Sequence, residues 1–356
     1  MRITTNAILR NYRSNLGTSM ANLNTSRNKV MTGRQFVSSA ENPGSALRAA
    51  TLERKYVKNL DYISTAQNTQ SFLDSQEDAA MQISDLALTL SKQYGLEALN
   101  GTNADAETRK TYADAWRGAQ ESLLLSLNAS YEGRYAFGGA DAATPPFSLT
   151  TDANGKQILT YRGVNVDPDP NDPDYQKTMD TLKQLSEESV YLDLGFGLTV
   201  NDKTGEIDPS SAFNTSLPGI NVAGYGKTAD GRTKNMVLLA GQIADTLEKE
   251  PFDQAEFEKL LNAFDDGRNN VLEQVTTLGT KSQFLTATKD RLETDKLNLA
   301  TQLDNVVNID MADAITQYSW AQYAYNAALK VGTSILSPSF ICLLYTSDAA
   351  DDMQCV

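Results

Sequence analysis

Two adjacent carboxylate pairs, Glu187-Glu188 and Asp265-Asp266, are the residues of this chain whose types could do the general acid–base work of a glycosidase. Neighbours on a helix point about 100° apart, so each pair reads as a solvated face rather than as an acid facing a base. The run Asp167-Pro-Asp169-Pro-Asn171-Asp172-Pro-Asp174 sets oxygen ligands at alternate positions, as a calcium loop does. It departs at the sixth position, Asp172 for the required Gly, and at the twelfth, Thr178 for the required Glu. Its prolines fit a stiff, solvated linker better. The 356 residues contain no histidine, which removes the commonest general base and zinc ligand and with them triads and HExxH sites. No catalytic, metal-ligating or cofactor-binding residue is expected.

Composition narrows the class further. A net charge of −14 and a pI near 4.6 argue against a nucleic-acid partner, which clustered Lys and Arg would bind. Neither a membrane span nor an apolar secretory signal near Met1 is expected from the hydropathy pattern. Both cysteines, Cys342 and Cys355, fall in the final stretch. There Cys342-Leu-Leu-Tyr-Thr-Ser347 is what TGT CTC TTA TAC ACA TCT encodes, and that DNA resembles a transposon end used in building sequencing libraries. Residues 342–356 are therefore read as non-native. Without their three Asp the charge is −11, and no thiol remains for a disulfide or a thiolate site.

The elements that must position everything else are helices. Leu278, Leu285, Leu292, Leu299 and Val306 recur every seven residues, the period of a supercoiled helix. After a register shift, Met311, Ile315, Tyr318, Gln322, Tyr325, Leu329, Gly332 and Leu336 continue an apolar stripe. Without a proline between them, Leu278 to Leu336 reads as one helix of roughly 90 Å. At the front, Ile3, Ile8, Tyr12, Leu16, Met20, Leu23 and Val30 mark an amphipathic helix. Its first forty residues hold Arg2, Arg10, Arg13, Arg27, Lys29 and Arg34 and no acid. It is expected to meet the segment carrying Asp304, Asp310 and Asp313.

The turn at Glu41-Asn42-Pro43 opens a second long helix, with Asn42 as cap and Pro43 as first helical residue. Leu60, Ile63, Leu73, Ala80, Ile83, Ala87 and Leu90 form its stripe, and Gly95 and Asn100-Gly101 end it. A third helix, from about Ala104 to Tyr131, buries Tyr112, Trp116, Ala119, Leu123 and Leu127 and closes at Gly133. From Gly138 the pattern shifts to short β-prone runs such as Gln157 to Tyr161 and Val190 to Val200. Helices resume at Asn235, and another starts at the cap Asp253. The fold class is mainly α: a long antiparallel helical bundle or coiled coil formed by both chain ends, with an inserted β-rich domain. The segments are 1–42 pairing with 305–341, 43–138 packing with 230–304, and the insert 139–229.

Several strings carry a resemblance. Met1-Arg-Ile-Thr4, Thr32-Gly33 and Glu41-Asn42-Pro43 are joined by Tyr135-Ala-Phe137-Gly138-Gly139, Pro146-Phe147 and Leu192-Asp-Leu-Gly-Phe-Gly-Leu-Thr-Val200. Together they resemble the flagellar hook-associated protein 3 family, hook-filament junction proteins related to flagellin, from Met1 to Ile341. The string Tyr135, Phe137, Gly138, Gly139 is the most specific, because flagellins generally lack it. The resemblance implies a structural, extracellular protein of the bacterial flagellum, exported by the type III apparatus with an export chaperone. It implies a ring of subunits between the other junction protein and flagellin, with no enzymatic role. The terminal stripes, Ile3, Ile8, Tyr12, Leu16, Met20, Leu23 and Val30 with Met311, Ile315, Tyr318, Tyr325, Leu329 and Leu336, would then make contacts between subunits. A flagellin-type filament subunit is the other reading.

Overall fold

The computed structural model describes residues 5–99, 105–152 and 155–336. Ile3 and the tail 342–356 lie outside them. The chain forms two compact units: residues 59–294, and the two chain ends up to residue 58 and from residue 295.

In the 59–294 unit, four helical stretches enclose one core. Helix α2 (Pro43–Thr89) contributes to both units and opens on Asn42, whose Oδ1 accepts from the Ser45 N–H at 3.1 Å. Its stripe residues Ile63, Leu73, Ala80, Ile83, Ala87 and Leu90 are buried, while Leu60 faces solvent. Gly95 does not break the helix: a π-helical turn, Leu90–Gly95, runs into α3 (Leu96–Leu99). Helix α4 (Ala106–Leu127), capped by Asp105, buries Trp116, Ala119, Leu123 and Leu127 as its period predicts. It stops at Asn128, earlier than expected. The Asn128 side chain both donates to and accepts from the backbone of Phe147 at 2.9 Å, which turns the chain out of the helix. Gly133 instead serves the turn between β1 (Ser130–Tyr131) and β2 (Arg134–Tyr135).

Strands β3 (Phe147–Thr151), β4 (Gln157–Tyr161) and β5 (Val164–Asn165) form an antiparallel sheet with β4 central and Phe147 opposite Tyr161. Helix α5 (Tyr175–Ser186), the pair β6 (Tyr191–Leu192) and β7 (Phe213–Asn214), and α6 (Gly219–Ala223) follow. The middle segment is thus shared between short strands and two helices. Of the expected run Val190 to Val200, only Tyr191–Leu192 is a strand. Helix α7 (Met236–Glu248), capped by Asn235, is buried on nearly every side and packs on α4. Helix α8 (Gln254–Val307) opens on Asp253. In the core, Trp116 meets Phe264 edge-on at 4.9 Å. The seven-residue row is buried at Leu278, Leu285 and Leu292, and the buried Asn59 amide donates to the Leu292 carbonyl at 2.7 Å.

The expected single helix from Leu278 to Leu336 is two. Helix α8 ends at Val307 and α9 (Met311–Leu336) starts after three residues. A break exposes backbone groups that need partners, and here a second break supplies them. Between α1 (Thr5–Thr32) and α2, the Gln35 N–H donates to the Val307 carbonyl at 2.8 Å and the Gly33 carbonyl accepts from Ile309 at 3.1 Å. Arg34 and Asn308 form an antiparallel bridge. Asp310 then caps α9, accepting from the Ala312 and Asp313 N–H groups at 2.8 and 3.3 Å.

Among the described residues no helix is long and apolar enough to cross a membrane. One cation sits uneasily in the 59–294 unit. Lys281 donates its ammonium to the Ser216 carbonyl at 3.1 Å, has no carboxylate partner among the described residues, and burial lowers its pKa. Between that lowered value and 10.5 the unfolded chain binds more protons than the folded one, so stability rises with pH through that window and the desolvation cost is fully present below it. Lys281→Met, which keeps the stem, is expected to stabilise the protein at neutral pH and to flatten the alkaline rise; denaturant melts from pH 7 to above 10 check both.

Candidate assembly interface

Helices α1 and α9 run antiparallel and pack along their length. On α1 the partly buried residues are Leu9, Tyr12, Leu16, Ser19, Leu23, Ser26 and Val30, steps of three and four that hold the a and d positions of a heptad. On α9 the covered positions are Ala314, Tyr318, Ala321, Tyr325, Ala328 and Gly332, again alternating by four and three. Each helix therefore presents one narrow seam. Small residues let the backbones approach: a side chain at the buried Gly332 would overlap the Tyr12 hydroxyl. Tyr12 lies near one end of the seam and the Arg34 bridge lies at the other.

The residues singled out from the sequence divide between seam and surface. Tyr12, Leu16, Leu23, Val30, Tyr318 and Tyr325 lie in the seam, whereas Ile8, Met20, Met311, Ile315 and Leu329 are exposed. Leu336 ends α9, and its side chain lies outside the described set. The seam alanines Ala314, Ala321 and Ala328 are absent from the sequence reading. Their signal was a seven-residue repeat of a small residue, hidden because the stripe from Met311 was traced through the large side chains of two rows, a and e. Further apolar surface stands outside both: Trp320 is 69% and Tyr323 73% exposed.

The basic first helix does meet the acid-bearing last segment, but not through charge. Asp310 caps α9, Asp304 accepts from the Asn308 amide, and Asp313 accepts from Gln317. Among the described residues Arg13, Arg27 and Arg34 have no acidic partner. Local hydrogen bonds hold the acids, and the seam holds the helices.

The motif residues sit in the 59–294 unit and clamp its strands. The carbonyl of the buried Phe137 accepts from the Gly219 N–H at 2.9 Å and from the Tyr161 hydroxyl at 3.1 Å. Burial pushes the Tyr161 pKa up to about 12, which keeps that hydroxyl a donor. Tyr135 takes the Ala142 carbonyl, and Gly138 bridges to Pro218. Gly139 has φ of 67°, and a Cβ there would stand 3.1 Å from Glu188 Oε2 and 3.2 Å from the Tyr161 hydroxyl. Glu188 accepts from the Ala140 N–H and, at 2.6 Å, from Arg162.

That contact also accounts for one carboxylate pair. Glu188 serves the clamp while Glu187 reaches Lys183 at 4.0 Å; Asp265 pairs with Lys92 at 3.5 Å and Asp266 faces an open cleft beside α5. In the Pro-stiffened run, Asp169 accepts from Asn171, Asp172 from Asp174, and Asp167 lies 3.9 Å from Lys227. No three potential metal ligands converge among the described residues. Overpacking a close contact costs about 1–3 kcal/mol, so Gly332→Val is expected to speed amide exchange along α1 and α9 at least tenfold while exchange in the 59–294 core is unchanged. Equal protection in both proteins would show that the Tyr12–Gly332 approach does not hold the pair.

The chain is similar to known proteins. The family model for the bacterial flagellin N-terminal helical region matches residues 3–142. The flagellar hook-associated protein 3 of Salmonella typhimurium is 23% identical over 367 residues, covering 96% of this chain and 99% of its own length. That of Escherichia coli is 22% identical over 315 residues, 86% of this chain and 88% of its own. A solved structure from Vibrio parahaemolyticus, described as a flagellar hook-associated protein, aligns with a TM-score of 0.56 at 19% identity. It covers 75% of this chain and all of its own, which shows a shared fold. The chain is thus similar at its front to the flagellin N-terminal helical region and along its length to hook-associated protein 3 sequences.

Proposed function

We propose that this chain is a structural component of the bacterial flagellum, an adaptor that joins the hook, through the other hook-associated protein, to the flagellin filament. The observation that carries the reading is the coil of α1 and α9. It buries one seam and leaves Met20, Met311, Ile315, Trp320, Tyr323 and Leu329 on its surface. A helix pair with apolar side chains on several faces wants further helices beside it, and copies of the same chain in a ring would supply them. The segments 1–42 and 305–341 are then the assembly elements, and 43–304 the body that spaces them.

Isolated helices are marginal in water, so chain ends held by one thin seam suit passage through a type III export channel, with a chaperone covering the apolar rows before export. Outside the cell, neighbours would cover them instead, each fully buried apolar side chain contributing about 1.5–3 kcal/mol. A filament subunit of the flagellin type would use its ends in the same way. The junction role is favoured because the Tyr135-x-Phe137-Gly138-Gly139 clamp accompanies similarity to hook-associated protein 3 along the whole chain.

Cells lacking the gene are expected to carry bare hooks and to shed flagellin into the medium, seen by electron microscopy and by immunoblotting the supernatant. Bare hooks with the main filament antigen missing would identify a filament subunit, and intact filaments would refute both readings. Removing residues 1–40 is expected to abolish assembly while the 59–294 unit keeps its helical circular dichroism; a truncated chain that still restored filaments would rule out the terminal helices as the assembly elements.

A further inference from the structure

The surface of the α1/α9 coil has a chemical pattern of its own. Beside the seam, position e of α1 sets Arg13, Met20 and Arg27 in one row, seven residues apart, and position e of α9 sets Ile315, Gln322 and Leu329 in another. In an antiparallel pair these two rows flank the same groove, and the Arg34–Asn308 bridge sets their register. Stepping back by heptads brings Arg27 about level with Ile315, Met20 with Gln322 and Arg13 with Leu329. Met20, Ile315 and Leu329 stand exposed there. The two arginines are fourteen residues apart on α1, about 21 Å along the helix. Neither has an acidic partner among the described residues.

A helix that matches this rim must carry carboxylates at the same fourteen-residue spacing, with an apolar side chain midway to meet Met20. Among the described helices two carboxylate pairs have that spacing, Glu107 with Glu121 on α4 and Asp290 with Asp304 on α8. Midway in the first pair stands Asp114, which would set a third carboxylate on the methionine. Midway in the second stands Leu297, 65% exposed. The outward face of α8 steps by three and four through Ala287, Asp290, Thr294, Leu297, Thr301 and Asp304, every one exposed, away from the buried Leu285 and Leu292. Its alanine and threonines are small enough to let Ile315 and Leu329 lie beside them. Asp290 and Asp304 have no cationic partner among the described residues, and Asp304 gives the Asn308 amide only one of its two oxygens. Both surfaces are exposed in the single chain, so it does not join them within itself.

Resting on the junction reading above, we propose that the arginine-rimmed groove of the α1/α9 coil receives the outward face of α8, residues 287–304, from a second copy of the chain. The row Arg13, Met20, Arg27 then meets the row Asp290, Leu297, Asp304, charge on charge at both ends and apolar on apolar at the centre. A slip by one heptad would set one arginine against Leu297 and one aspartate against Met20. The end charges therefore fix the register, while burial of Met20, Leu297, Ile315 and Leu329 holds the helices together.

Cross-linking tests the central layer in the native bacterium. With Cys342 and Cys355 changed to Ser, Met20→Cys and Leu297→Cys are introduced together in the full-length chain, and isolated hooks with their attached filaments are oxidised. The two substitutions together should give disulfide-linked multimers on a non-reducing gel, and either alone should give none. Multimers from Met20→Cys alone would mean that coils pack on coils, and attached filaments without multimers would mean that another helix fills the groove; either overturns the proposal. Charge exchange tests the two ends. Arg13→Glu with Arg27→Glu should cut attached filaments per cell about tenfold while the purified variant keeps its helical circular dichroism, as like charges then face each other. Adding Asp290→Lys with Asp304→Lys should restore most filaments, and a combined variant no better than the arginine pair alone refutes the pairing. Failure of the junction reading looks different: the wild-type gene itself would then not restore filaments to the deletion strain.

Discussion

Ala314, Ala321 and Ala328 alternate with Tyr318 and Tyr325 along α9, and Gly332 completes the row against Tyr12. Small side chains let two helices come close, but close approach narrows the strip that each can cover. The chain ends can therefore hide one seam on each other and no more. Most of its members stay only partly buried, Leu16 and Leu23 among them. Fixing a residue costs about 1–2 kcal/mol of backbone entropy, so a coil of this kind gains much of its order from whatever covers its remaining rows. The exposure of Trp320 and Tyr323 follows from how little the seam conceals.

The 59–294 unit answers the opposite demand. Trp116, Phe257 and Phe264 are fully buried, α7 is enclosed, and Gln120 and Asn59 reach carbonyls on neighbouring elements. Its ion pairs, such as Arg117 with Asp245 and Glu248, join parts of the same unit. The clamp at Gly139 ties the turn after β2 to β4 and to Glu188. One part of the molecule thus buries its large side chains within itself, and the other leaves many of its apolar side chains exposed.

Long rows of one residue type were easy to read in the sequence, and close contacts between different types were not. Leu278, Leu285 and Leu292 are buried as their period requires, and Asn42, Asn235 and Asp253 cap the helices that they precede. The break at Asn308 escaped notice because no Gly or Pro marks it; its backbone groups are satisfied by Gly33 and Gln35, far away in sequence. Gly133 was assigned to a helix end because a tight turn and a helix terminus want the same residue. Asp304, Asp310 and Asp313 looked like partners for arginines and are instead engaged within their own segment. In each miss a specific backbone or side-chain contact, invisible to periodicity, decided the outcome.

That last correction bears on assembly. Had the acids of the last segment paired with the arginines of the first, the chain would have neutralised its own ends, and a neighbour would have met only an apolar surface. Apolar rows attract without much discrimination, and a sliding step of one heptad along such a row changes little. Arg13 and Arg27, which have no acidic partner among the described residues, would give such a surface a charge for a neighbour to match. Because capping and amide contacts hold the acids of the last segment, the coil keeps both its exposed apolar rows and the positive charge of its first helix at the surface.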